Sequence, residues 1–195
     1  MLRIAVLILA AAPVLAAPIP RDASRANYFP LAKGTTWTYR SEAAGAVAGF
    51  VIRVSESQVK NGRTQATLVY KFDNAEQSET MAGDTTGVYR PGENGSFDKP
   101  VLVLKYPLKV GETWTSRLPL GGANPEAKAT VKRAVEVTVP AGKYEAMEVE
   151  FMSTGEGRPN TLTAWYAPNV GVVKQTTVLE GRSTTIELAE FTPGK

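Results

Sequence analysis

The chain has 195 residues, 22 of them Lys or Arg and 19 Asp or Glu, for a formal charge of +3, and it contains neither cysteine nor histidine. Without cysteine the fold must hold by core packing and not by disulfides. Without histidine, Ser-His-Asp and Cys-His catalysis and His-ligated zinc, copper or non-haem iron sites are excluded, and the interspersed, nearly balanced charges leave no electrostatic footprint for a nucleic-acid partner.

The N-terminal stretch "MLRIAVLILAAAPVLAAPIP" carries one positive charge, Arg3, followed by an apolar run from Ile4 to Ala16. That run is shorter than the roughly 20 apolar residues a membrane-spanning helix needs. It ends in Val14-Leu15-Ala16, which predicts a secretory signal over residues 1–16 with cleavage between Ala16 and Ala17. No cysteine follows, so no lipobox attachment is expected, and no later stretch approaches membrane length. The protein is therefore expected outside the cytoplasm, periplasmic or extracellular, with no transmembrane segment after cleavage. Residues 17–27, with Pro18 and Pro20 among polar residues, read as a flexible leader.

From Tyr28 onward the pattern is short alternating apolar runs separated by Gly, Pro, Asn and Asp, which predicts strands. The phrase "YFPLAKGTTWTY" (28–39) reads as a turn followed by a strand that takes Trp37 into the core. A strand over 49–57 and its partner over 64–72 flank Asn61-Gly62, a hairpin signal because both positions tolerate positive φ. The polar run "DNAEQSE" (73–79) reads as a hairpin loop, not a calcium loop, because Asp73, Glu76 and Glu79 lack EF-hand spacing. Short strands at 79–83 and 87–90, a turn-rich loop at 91–100 and a strand at 101–106 complete the first half.

The second half opens with "KYPLKVGETWTS" (105–116). It continues with one long or two short bulged strands at 126–139, after a loop read at 121–128, and with a turn at Pro140 to Gly142. Strands follow at 144–153, 161–167, 171–179 and 183–191, the last two joined by a hairpin turn at 180–182. Over 144–153 Met147, Val149 and Phe151 alternate with Glu148 and Glu150, one face buried and one wet. No window reads as a capped amphipathic helix.

The two halves share a register. At an offset of 77, Pro30, Leu31, Gly34, Thr36, Trp37 and Thr38 fall on Pro107, Leu108, Gly111, Thr113, Trp114 and Thr115. At 80, Val59, Gly62 and Ala66 fall on Val139, Gly142 and Ala146, and at 84 "GVYR" (87–90) falls on "GVVK" (171–174). Offsets that grow in chain order indicate a duplicated module with small insertions. The expected fold is therefore all-β and antiparallel. A single domain over 28–192 is built of two duplicated meander modules, 28–104 and 105–192, forming one curved sheet, open barrel or sandwich.

The chemistry that the sequence offers is sparse. Glu145, Glu148 and Glu150 meet a glycosidase by number only, since such an enzyme needs two carboxylates about 5–10 Å apart across a cleft, and strand alternation already accounts for them. Trp37 and Trp114 read as core. Trp165 and Tyr166, in "AWYAPNVG", are the ligand-binding candidates: adjacent strand residues point to opposite faces, so one of them faces out, and aromatics at a sheet mouth stack on sugars or line lipid pockets. No catalytic residue, metal site or cofactor is assigned.

With these phrases in hand the chain resembles a group of exported bacterial β-sheet proteins. Their domains open with a "YFPLxxGxxWxY"-like phrase and carry "VPAGxYxAxxV" and "WYAPxVGxVK" further on, here Tyr28 to Tyr39, Val139 to Val149 and Trp165 to Lys174. The group carries no known activity, so the resemblance implies export and a β-rich domain and no more. A more distant likeness, by fold type alone, is to the open β half-barrels of periplasmic lipoprotein carriers. The expected function is a non-enzymatic exported domain that binds a ligand or a cell-envelope partner, whether envelope protein, glycan or apolar molecule. The alternatives are a carrier of lipid or another apolar molecule in a curved sheet, and a carboxylate-based glycan hydrolase. An apolar groove distinguishes the carrier from a domain with a packed interior.

Overall fold

The computed structural model describes residues 26–43, 46–92, 95–117, 125–155 and 158–195. The predicted signal over 1–16, the leader up to residue 25 and parts of the loops read at 91–100 and 121–128 lie outside the described residues.

Twelve strands follow one another, with no helix among the described residues: β1 (Thr36–Ala43), β2 (Ala46–Lys60), β3 (Arg63–Lys71), β4 (Glu76–Asp84), β5 (Gly87–Arg90), β6 (Val101–Lys105), β7 (Thr113–Arg117), β8 (Glu126–Val139), β9 (Gly142–Gly155), β10 (Arg158–Ala167), β11 (Gly171–Leu179) and β12 (Arg182–Thr192). All belong to one antiparallel sheet of order β6-β5-β4-β3-β2-β1-β12-β11-β10-β9-β8-β7. β1 thus lies in the middle of the sheet, the next strands step outward to the edge at β6, β7 takes the opposite edge, and the rest step back until β12 pairs with β1. The edges β6 and β7 meet again, and the Arg90 guanidinium reaches across them to donate to the Arg117 carbonyl. The result is a curled sheet, an almost closed barrel and not a sandwich, with one seam that lacks a ladder. Closure of this kind hides most of a sheet's unpaired edge groups.

Local chemistry sets the turns. β2 and β3 are joined by Asn61-Gly62 with φ of 51° and 75°, and β11 and β12 by Glu180-Gly181 with φ of 50° and 80°, the two-residue turns that match strand twist. β8 is one strand with a bulge between Val131 and Arg133. β2 is bulged between Val54 and Glu56, the same place at an offset of 77.

One expectation is corrected. The polar run read as a loop at 73–79 enters β4 at Glu76, and there Gln77 pairs with Tyr70 and Glu79 with Leu68. These side chains alternate as a strand requires; they are polar because the surface they face is a cavity and not a packed core.

The repeated phrases close one end of the barrel. Gly34 N donates to Val54 O at 2.9 Å and Val54 N to Thr35 O at 2.9 Å; at the matching positions Gly111 N donates to Val131 O at 2.9 Å and Val131 N to Glu112 O at 3.0 Å. Gly34 and Gly111 hold φ of 87° and 86°, values that residues with a Cβ rarely adopt. The turns place Leu31 and Leu108, with Tyr28, in the core over the barrel end. Trp37 and Trp114 are buried below them, Trp114 edge-on to Phe151 at 6.0 Å between ring centroids.

Candidate functional site

Beneath that closed end the barrel is not filled. A cavity of about 540 Å³ occupies its interior, within the roughly 300–1,000 Å³ of small-molecule sites. Its floor is apolar because the polar atoms there are already used. Trp37 Nε1 donates to Val170 O at 2.6 Å, and Tyr39 Oη to Val172 O at 2.7 Å. Burial pushes the Tyr39 and Tyr166 phenols well above their ordinary range, so both stay neutral.

An aromatic ladder climbs from floor to mouth. Tyr39 is paired with Phe50 across β1 and β2; the rings stack at 5.2 Å and 24°, and Phe50 stacks on Phe72 at 5.4 Å and 30°. Tyr39 is 4 % exposed and Phe72 36 %, so the ladder runs from core to solvent. Leu68, Met81, Leu162 and Ile186 are among the other apolar residues of the lining.

Polar side chains gather where β4, β5, β7 and β11 end or begin at the end away from the closing turns: Gln77, Glu79, Arg90, Arg117 and Thr177 all line the cavity. The Tyr70 hydroxyl donates to Glu79. Burial, then the charge and hydrogen bond of Glu79, push the Tyr70 phenol up, while Arg90 pulls it the other way. A second cleft of about 620 Å³ lies at the seam, beside Lys99, Leu102 and Thr115, and shares Ser116 and Arg117 with the interior.

Of the two ligand-binding candidates, Tyr166 lines the cavity and Trp165 does not. Trp165 points to the outer face, where its Nε1 donates to Glu148 Oε2 at 3.3 Å and Lys174 lies 5.9 Å from its ring centroid. Glu148 also accepts from Arg133 Nε at 2.8 Å, Lys174 pairs with Glu187 at 2.8 Å, and Lys132 pairs with Glu150 at 3.1 Å. Glu148 and Glu150 therefore stand in a cross-strand ladder of opposite charges, the ordinary stabiliser of an outer sheet face, each facing a cation and not another acid. Of the interior residues, Phe50, Tyr70 and Arg90 were not singled out from the sequence, and Glu79 was weighed only as part of a calcium loop. The available signal was the inward parity of "DNAEQSE", whose polarity a loop explained equally well.

No protein-family model and no curated protein matches the sequence. Two solved structures share its fold. One, from Bacteroides fragilis, is described as an exported protein with a YmcC-like fold; it is 17% identical, with a TM-score of 0.59 over 86% of this chain and 99% of that one. The other is described as a lipoprotein of Parabacteroides distasonis and is 14% identical, with a TM-score of 0.54 over 86% and 99%. At such identities the likeness establishes the architecture: a curled all-β sheet similar to the YmcC-like fold.

Proposed function

We propose that this protein is an exported, non-enzymatic binding protein that carries an apolar molecule inside its barrel. The observation that carries the reading is the interior cavity of about 540 Å³ with its Tyr39-Phe50-Phe72 ladder. Aromatic faces in a concave, water-poor site bind apolar groups with little side-chain entropy to lose. Export is supported by the N-terminal apolar run and by the descriptions of the two structural neighbours. The halves that share a register and matching closing turns support descent of the barrel from one duplicated module, and the phrases at Tyr28, Val139 and Trp165 support its place among the exported proteins that it resembles.

Calorimetric titration with 1-decanol tests the reading. Saturable one-to-one binding with a negative heat-capacity change is expected, the mark of buried apolar surface, together with its loss in Phe50→Arg, which puts a charge in the middle of the ladder. Absence of binding, or binding indifferent to that substitution, overturns it.

A further inference from the structure

The cavity is not uniformly apolar, and its polar groups are not evenly matched. Among the described residues Arg90 makes no ion pair, and its guanidinium makes one hydrogen bond, to the Arg117 carbonyl across the seam. That bond accounts for one of five N–H donors. Arg90 is half-buried and lines the interior, and its charge is felt at the Tyr70 and Tyr166 phenols on either side of the lumen. A half-buried cation without a carboxylate keeps donors free for an anion that meets it. Arg117 lines the same cavity, and the adjoining seam cleft holds Lys99 with one acid, Glu126, which does not line the interior. Among the described residues the one acid that lines the interior, Glu79, is already met by the Tyr70 hydroxyl.

Resting on the apolar-carrier reading above, we infer that the ligand is an amphiphile with an anionic head group, its chain along the Tyr39-Phe50-Phe72 ladder and its head against Arg90 at the seam. Arginine suits this task because its planar fork meets carboxylate or phosphate with two parallel hydrogen bonds. The alternative is that Arg90 only staples β5 to β7. A staple bears on stability but not on the choice between ligands that differ only in head charge.

The test compares probes of one chain length, 1-decanol, decanoate, decyl phosphate and decyltrimethylammonium, by calorimetry at neutral pH on the full chain and on Arg90→Gln and Arg90→Lys. Decanoate or decyl phosphate is expected to bind at least tenfold tighter than 1-decanol, and whichever is tighter separates a fatty-acid head from a phospholipid-type head; either order supports the inference. Arg90→Gln is expected to abolish the tenfold preference of the anions over 1-decanol, and Arg90→Lys to keep part of it. A melting curve on each variant shows that the barrel is intact. Equal binding of decanol and the anions overturns the inference, as does a parallel loss of all probes in Arg90→Gln, or tightest binding of the ammonium probe, which would give the site to Glu79. If 1-decanol also fails to bind the native protein, the carrier reading falls with it.

Discussion

Single atoms decide how tightly β5 is laid against its neighbours. A Cβ on Gly87 would stand 2.3 Å from the Leu104 carbonyl oxygen, and that oxygen is backbone and cannot swing away. Gly87→Ala is expected to destabilise by about 1–3 kcal/mol, the range for forced overpacking, read as a lower urea midpoint with unchanged slope. At the turn just before it Asp84 Oδ1 accepts from Thr86 N at 2.7 Å and from Gly87 N at 3.1 Å, and Oδ2 from Arg63 Nε at 2.8 Å. Burial raises the Asp84 carboxyl, but the Thr86 and Arg63 bonds outweigh it and hold it below its ordinary value. A carboxyl depressed in the folded state stabilises fully above its unfolded pKa, roughly 3.9, and loses that contribution as pH falls through the folded value. Asp84→Ala is therefore expected to cost about 1–3 kcal/mol at pH 7 and to flatten the acid limb of the stability curve, measured by urea unfolding from pH 7 downward.

At the scale of elements the two closing phrases are matched. Leu31 and Leu108 are both buried, each behind a turn with the same backbone bonds. Leu31→Ala and Leu108→Ala are each expected to lose about 2–5 kcal/mol by similar amounts, without weakening 1-decanol binding, since neither leucine lines the interior cavity. A large loss at one site and none at the other, by chemical unfolding, would break the equivalence. Much of this was legible in the residues. Trp, Pro, Leu and Gly in one register marked the closing turns, and Asn61-Gly62 marked a hairpin. β4 was legible only from Glu79 on; its first residues were not, because the period of an inward face is read from hydrophobicity and this strand turns Gln77 and Glu79 toward the cavity. Trp165 and Tyr166 could be picked out as a pair, but which of them faces in depends on the register with β9 and β11, including the bulge at Trp165/Tyr166, and no single-strand pattern contains that.

The whole molecule is a ring with one unlike joint. β1 and β12 are joined by a ladder from Thr36-Thr192 to Glu42-Thr185, whereas β6 and β7, which meet at the corresponding junction of the other half, end the sheet. There Lys105 bridges to Glu112 and Arg90 to the Arg117 carbonyl, contacts that tie edges without replacing a ladder. Backbone amides of β6 and β7 are expected to exchange hydrogen faster than those of β1 and β12, since local opening follows missing hydrogen bonds; equal protection would mean that the seam is as closed as the rest. The interior that this ring encloses is the centre of the account, and native mass spectrometry of the protein purified from its own cells tests it most directly. A stoichiometric added mass, released by organic solvent and identified as an anionic amphiphile, is the predicted result. A clean mass of the bare chain, from material that also fails to take up decanoate and 1-decanol, would contradict it.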